Sequence, residues 1–254
     1  GLGDVYKRQM QAAGLPVPDF AVFAFDFFQK SASSADLEQM EAAYRSGEFN
    51  LSQLSQQLQD WAREQLSQED LTAAENWIHQ EFSQTDCRFA VRSSATIEDG
   101  KSSSFAGQFD SQLNVSPEGL KEAIQATLLS LYQESALSYL FEQGLSLKQA
   151  QMICLVQVMQ EGDLSGIYFT ANPKGIFNEH IIVIGQGLGN KVVEDKIPTT
   201  MVTLHPKDQL FYTEQTEDSP DVSQEQLEKL QALAGQVSQL FGPYMDMELS
   251  LIHI

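Results

Sequence analysis

Cationic side chains are scarce in this sequence: Lys and Arg number 15 against 35 Asp and Glu, a net charge of −20 over 254 residues. So few cations cannot form the broad basic surface that a nucleic-acid backbone or an anionic bilayer requires, and both are excluded as general partners. A local basic pocket for a small phosphate compound remains open. Cysteine is nearly absent. Two residues, Cys87 and Cys154, are too few for a disulfide framework or a zinc site. Cys154 lies inside the apolar run Met152–Met159 and reads as a buried small hydrophobe, and a reducing cytoplasm fits that usage. No run approaches the roughly 20 apolar residues of a membrane span, and residues 1–9 are polar and charged with no apolar stretch behind them, unlike a secretory leader. Gly (16) and Pro (8) are too few for a collagen-like or low-complexity chain. The 42% hydrophobic content fills a sizeable core, in one large domain or two small ones.

The two ends are related to each other in an unusual way. One permitted set of codons for Leu249–Ile254, CTG TCT CTT ATA CAC ATC, has a reverse complement that translates as Asp4-Val-Tyr-Lys-Arg-Gln9. One short DNA sequence can therefore encode both ends, and it resembles the inverted end of a transposon used to fragment DNA. The expectation is that residues 1–9 and 249–254 are non-native and lie outside the fold, leaving 10–248 as the native part, cut at both ends.

Gly14-Leu-Pro-Val-Pro18 leads into Phe20-Ala-Val-Phe-Ala-Phe25, a turn entering a buried strand. From Ser33 to Phe82 the period changes to 3.6. Leu37, Met40 and Tyr44 share one face, Leu51, Leu54, Leu58 and Trp61 another, and Trp77, Ile78 and Phe82 a third, which predicts three helices with both tryptophans in the core. Cys87–Val91 is a short apolar strand, and Gln108–Val115 alternates like a returning one. Ser116-Pro117-Glu118 predicts a helix start, with Ser116 as N-cap and a stripe of Leu120, Ile124, Leu128, Leu131 and Tyr132. Strands follow at Met152–Met159, Gly166–Thr170, His180–Ile184, Thr200–Leu204 and Leu210–Thr213. Ser223 and Gln226 form a capping box for a helix whose face is Leu227, Leu230, Val237 and Leu240, and a last strand begins near Tyr244. No internal repeat is visible. The pattern is α/β or α+β.

Three segments carry candidate chemistry. Val91-Arg92-Ser-Ser-Ala-Thr-Ile-Glu-Asp99, followed by Lys101-Ser-Ser-Ser-Phe105-Ala106-Gly107-Gln108, places a guanidinium, hydroxyls and loop N–H groups at one strand end. Those groups suit phosphate oxygens, and Gly107 allows close backbone approach. The alternative is a solvated Ser-rich loop with a surface Arg. In Tyr244-Met-Asp246-Met-Glu248 the two carboxylates fall on one face of a strand. They suit Mg²⁺, a hard ion that keeps nucleotide phosphates in its shell; the alternative is a solvated acidic face. Gly185-Gln-Gly187-Leu-Gly189-Asn190 is a Gly-rich turn, too short for a dinucleotide fingerprint. His79, His180 and His205 are scattered, and none is assigned as a ligand.

Val91-Arg-Ser-Ser-Ala-Thr-x-Glu-Asp99, Ser104-Phe-Ala-Gly-Gln108 and Leu113-Asn-Val115 together resemble the nucleotide-binding domain of the phosphoenolpyruvate synthase (pyruvate, water dikinase) and pyruvate phosphate dikinase family. The likeness runs on, in the family's order, through Gly14–Pro18, Val156-Gln157-Val-Met159, Ser165–Pro173, Gly187-Leu-Gly189 and Asp246-Met-Glu248. Rifampin phosphotransferases and plant glucan, water dikinases share this domain. The resemblance implies a two-lobed ATP-grasp fold with ATP between the lobes, here divided roughly as 10–115 and 116–248. It implies that Arg92 is catalytic and grips the polyphosphate, that Gly107 and Ser111 border the phosphates, that Gln157 meets the adenine, and that Asp246 and Glu248 hold Mg²⁺, with Glu248 also on the nucleotide side. It further implies that Mg·ATP phosphorylates a histidine on a separate swivelling domain, which hands the group to pyruvate on a third; neither domain is in this sequence. The alternatives are a rifampin-phosphotransferase-like protein and a stand-alone nucleotide-binding module.

The sequence departs from the family at several points. A lysine in a Gly-Gly-Lys motif belongs ahead of Met10, and a Trp and a Gln-x-Arg motif belong after Glu248; none is present. Asn190 stands where an acid is common. The expectation is weak ATP binding and no turnover by this chain alone.

Overall fold

The computed structural model describes residues 2–24, 31–66, 68–82, 87–95, 109, 111–160, 162–176, 178–187, 189–193 and 196–251. The chain is mixed α/β and divides into two compact units, Gly1–Met159 and Gln160–Ile254, each with its own antiparallel sheet.

The first unit contains α1 (Leu2–Ala12), β1 (Phe20–Ala24), α2 (Ser31–Arg45), α3 (Leu51–Gln65), α4 (Gln68–Glu81), β2 (Phe89–Ala95), β3 (Gln112–Val115), α5 (Leu120–Leu129), α6 (Glu134–Glu142) and β4 (Met152–Val158). Its sheet order is β1-β4-β2-β3. Alternate residues of the strands face the helices: Phe89, Val91 and Ala95 of β2 and Met152, Cys154 and Val156 of β4 join Leu54, Leu58, Ile78, Leu120, Ile124 and Leu128 in one core. The periodic stripes read from residues 37–82 and 120–132 all enter or pack against this core, with Trp61 edge-on to Tyr132 at 6.2 Å. Cys154 is buried, and its thiol contacts the Ile124 carbonyl at 3.7 Å. Asn50 caps α3 in a box: its Oδ1 accepts from Gln53 N–H at 2.9 Å while its own N–H donates to Gln53 Oε1.

The second unit contains β5 (Leu164–Phe169), β6 (His180–Gln186), α7 (Gly189–Val193), β7 (Thr199–His205), β8 (Leu210–Glu214), α8 (Gln224–Phe241) and β9 (Asp246–Leu251). Its sheet order is β8-β7-β6-β5-β9. One face packs on α8, with Tyr168, Ile182, Ile184, Val202 and Leu204 meeting Leu227, Leu230 and Ala234. Ser223 and Gln226 form the expected capping box at the start of α8.

Several expectations are corrected. The units part at Met159/Gln160 rather than near residue 115, because β4 pairs with both β1 and β2, and α5 packs against β2 and β4. Strand β2 covers Phe89–Ala95 rather than Cys87–Val91, because its partner β4 pairs with it over that whole length. Ser116 makes no side-chain cap bond; Pro117–Gly119 form a 3₁₀ turn and α5 starts at Leu120. Leu240 is 48% exposed, because at 100° per residue the stripe through Leu230, Ala234 and Val237 continues at Phe241. The terminal segments are not wholly outside the fold. Helix α1 spans residues 2–12, and β9 continues through Leu251 because Met247, Leu249 and Leu251 extend one apolar face onto the α8 core.

Candidate functional site

In each sheet alternate residues point away from the core described above, and the sequence-derived site residues that fall among the described residues are best placed from those faces. In the first unit, Ala90, Arg92 and Ser94 of β2 and Ile153, Leu155 and Gln157 of β4 alternate with the core residues and so share the face turned away from the helices. Gln157 lies between Ala90 and Phe20 in register, and Leu155 lies between Arg92 and Val22. Arg92 and Gln157 are therefore diagonal neighbours on one face, within reach of long side chains. Arg92 is half-buried, and its Nε is fully enclosed with no hydrogen-bond partner among the described residues. A buried guanidinium N–H without an acceptor is costly, and none comes from the described residues.

Arg92, Ser93 and Ser94 lie within β2 rather than at its end, which corrects the expected strand-end rim: Arg92 and Ser94 share a face, and Ser93 pairs with Cys154 on the other. Ser111 is exposed immediately before β3. Gly107 lies outside the described residues.

In the second unit, β9 pairs with β5 so that Asp246 stands opposite Phe169 and Glu248 opposite Ile167. Both carboxylates are exposed on the face away from α8, while Met247 packs on the α8 side. Among the described residues no cluster of three or more His, Cys, Asp or Glu side chains could enclose an ion. Mg²⁺ carried with a nucleotide needs only one or two carboxylates, so this donor pair fits it.

The segment Ser165–Pro173 builds the frame around this pair. A Cβ on Gly166 would collide with the Val183 carbonyl, so the two strands approach closely only with glycine there. Thr170, at the end of β5, grips the chain entering β9. Its Oγ1 accepts from Met245 N–H at 2.6 Å and donates to the Pro243 carbonyl at 2.8 Å, and its own N–H donates to the Met245 carbonyl at 2.9 Å. Asn172 ties the following turn, donating to Glu179 Oε2 at 2.8 Å and accepting from Lys174 N–H at 2.9 Å. Sequence reasoning quoted this segment but gave Thr170 no role; its partners lie 73 and 75 residues away. At the Gly-rich turn, a Cβ on Gly185 would come within 2.8 Å of both Val192 and Ile197 side chains, so this glycine lets α7 and the following loop pack on the sheet. His180 Nδ1 and Tyr168 Oη are 2.9 Å apart; burial pushes the His180 pKa down and the tyrosine up.

The family model described as pyruvate phosphate dikinase, AMP/ATP-binding domain, matches residues 1–217. The chain belongs to this family. Among its relatives, a probable phosphoenolpyruvate synthase of Methanocaldococcus jannaschii is 27% identical over 275 aligned residues, which cover 94% of this chain and 23% of that protein. The prodigiosin synthesizing transferase PigC of Serratia marcescens is 30% identical over 63% of this chain and 20% of its own length. A rifampicin phosphotransferase of Streptomyces sviceus is 40% identical over 41% of this chain and 12% of its own. The chain thus spans roughly a fifth of the length of the first curated relatives it matches. No helix among the described residues is long and apolar enough to cross a membrane.

Proposed function

We propose that this chain is the ATP-binding part of a dikinase-type phosphotransferase with an ATP-grasp-like fold. In its parent protein it uses Mg·ATP to phosphorylate a histidine on a separate domain, for the synthesis of phosphoenolpyruvate from pyruvate. The observation that carries this reading is the enclosed Nε of Arg92, which has no hydrogen-bond partner among the described residues, on the same sheet face as Gln157, in a chain of an AMP/ATP-binding family. Arg92 offers a planar fork of N–H donors to phosphate oxygens, and a phosphate seated there replaces the missing hydrogen-bond partner. Gln157 offers amide donor and acceptor to the adenine edge, and Gly107 and Ser111 border the phosphates. Asp246 and Glu248 hold the Mg²⁺, which when bound neutralises phosphate charge. Such a site works by positioning and charge neutralisation.

A second reading changes only the acceptor. The rifampicin phosphotransferase match supports it, since a segment 40% identical to part of this chain is found in a protein named for a different acceptor. Titration calorimetry tests the nucleotide reading: weak, saturable binding of Mg·ATP is expected, and no binding at millimolar ATP contradicts it. Acid-labile label on histidine after incubating the parent protein with radiolabelled ATP tests the transfer step.

A further inference from the structure

We propose that Thr170 is a positioning residue for the Asp246/Glu248 pair, its hydroxyl locking the chain that enters β9 so that both carboxylates are presented together. This rests on the reading of that pair as the Mg²⁺ ligands. Thr170 is 2% exposed, and its hydroxyl is used in both directions, accepting from Met245 N–H and donating to the Pro243 carbonyl. Met245 is the residue immediately before Asp246, and its carbonyl accepts from the Thr170 N–H. Three bonds from one residue therefore fix the backbone at the first ligand. The locked segment begins at Gly242, whose φ of +104° ends α8, so the clamp sets where the strand begins after a turn that other residues resist. Both carboxylates are exposed on the last strand in the sheet order, and among the described residues no side-chain hydrogen bond or ion pair holds them. Residues that orient ligands in this way typically change metal affinity by roughly 10–100-fold when lost.

The test reads metal binding directly. Mn²⁺ is titrated into the chain in the presence of a non-hydrolysable ATP analogue and followed by electron paramagnetic resonance, alongside nucleotide binding without metal. Thr170→Val, which keeps the shape and removes the hydroxyl, is expected to weaken Mn²⁺ binding about tenfold and leave metal-free nucleotide binding unchanged. Thr170→Ser, which keeps the hydroxyl, is expected to restore it. Asp246→Asn is the control for the underlying reading. If Asp246→Asn weakens Mn²⁺ binding and Thr170→Val does not, the positioning role is overturned while the ligand assignment stands. If Asp246→Asn has no effect, the ligand assignment itself fails and the positioning role falls with it. Should Thr170→Val fail to fold, amide exchange in the unsubstituted chain decides: the Met245 amide is expected to slow further as Mn²⁺ saturates, and indifference to the metal overturns the proposal.

Discussion

The two units place their candidate ligand groups in opposite settings. Arg92 sits on β2, an inner strand, with its Nε sealed from water, whereas Asp246 and Glu248 sit on β9, at the edge of the other sheet, open to solvent. The Arg92 Nε has no acceptor among the described residues, so in the proposed site an anion would supply one. The exposed carboxylates are not enclosed in this way, and as proposed ligands they would act by holding one ion together. In the proposed site, binding through Arg92 would draw on an inner strand of the first sheet, while the carboxylates would rely on a backbone held by Thr170.

The comparison can be broken most forcefully through the cores. The two clusters share no residue, so Ile124→Ala and Ile182→Ala should each cost about 2–5 kcal/mol and act on different transitions in urea unfolding. A single shared shift would merge the units into one cooperative block. Next in size, Asp246→Asn and Glu248→Gln should each raise the Mg²⁺ required for half-maximal nucleotide binding, and the double change should cost less than the sum, because both act on one ion. Strict additivity would separate them. Within the second unit, Val237→Ala should destabilise by about 1.5 kcal/mol, at ~0.8 per buried methylene, while Leu240→Ala should stay near neutral in thermal melts. The smallest effect concerns His180. Burial lowers its folded pKa below 6.5, so the unfolded chain binds its proton first. The stability this residue contributes is full above that value and is lost as pH falls through the folded pKa, and His180→Gln should flatten that limb of the stability–pH curve.

Much of the fold was legible because it rests on periodicity. Leu54, Leu58, Ile124 and Leu128 repeat at helical spacing, and all are buried where that spacing puts them. Where a stripe could drift, at Leu240, the pattern picked the wrong residue by one position. The extent of β2 was hidden because Arg92 and Ser94 interrupt the apolar run on the face opposite the helical core. The unit boundary was hidden for a different reason. Strand β4, late in the chain, inserts between β1 and β2, and no local pattern announces a pairing between Val91 and Val156. The alternation that puts Asp246 and Glu248 on one face was local and readable. A phosphate role for Arg92 was open from residue types and was favoured by the family resemblance, the role of Gln157 came from the resemblance alone, and what held the carboxylate strand was not readable at all, since Thr170 acts across 75 residues.

The most direct measurement is the affinity for ATP, by calorimetry, in excess Mg²⁺ and again in EDTA, for the unsubstituted chain, Arg92→Ala and Glu248→Gln. Losing a charged hydrogen-bond donor to phosphate should cost Arg92→Ala about 1.5–3 kcal/mol of binding under both conditions, while Glu248→Gln should weaken binding only when Mg²⁺ is present. Arg92→Ala binding ATP as tightly as the unsubstituted chain would contradict the account.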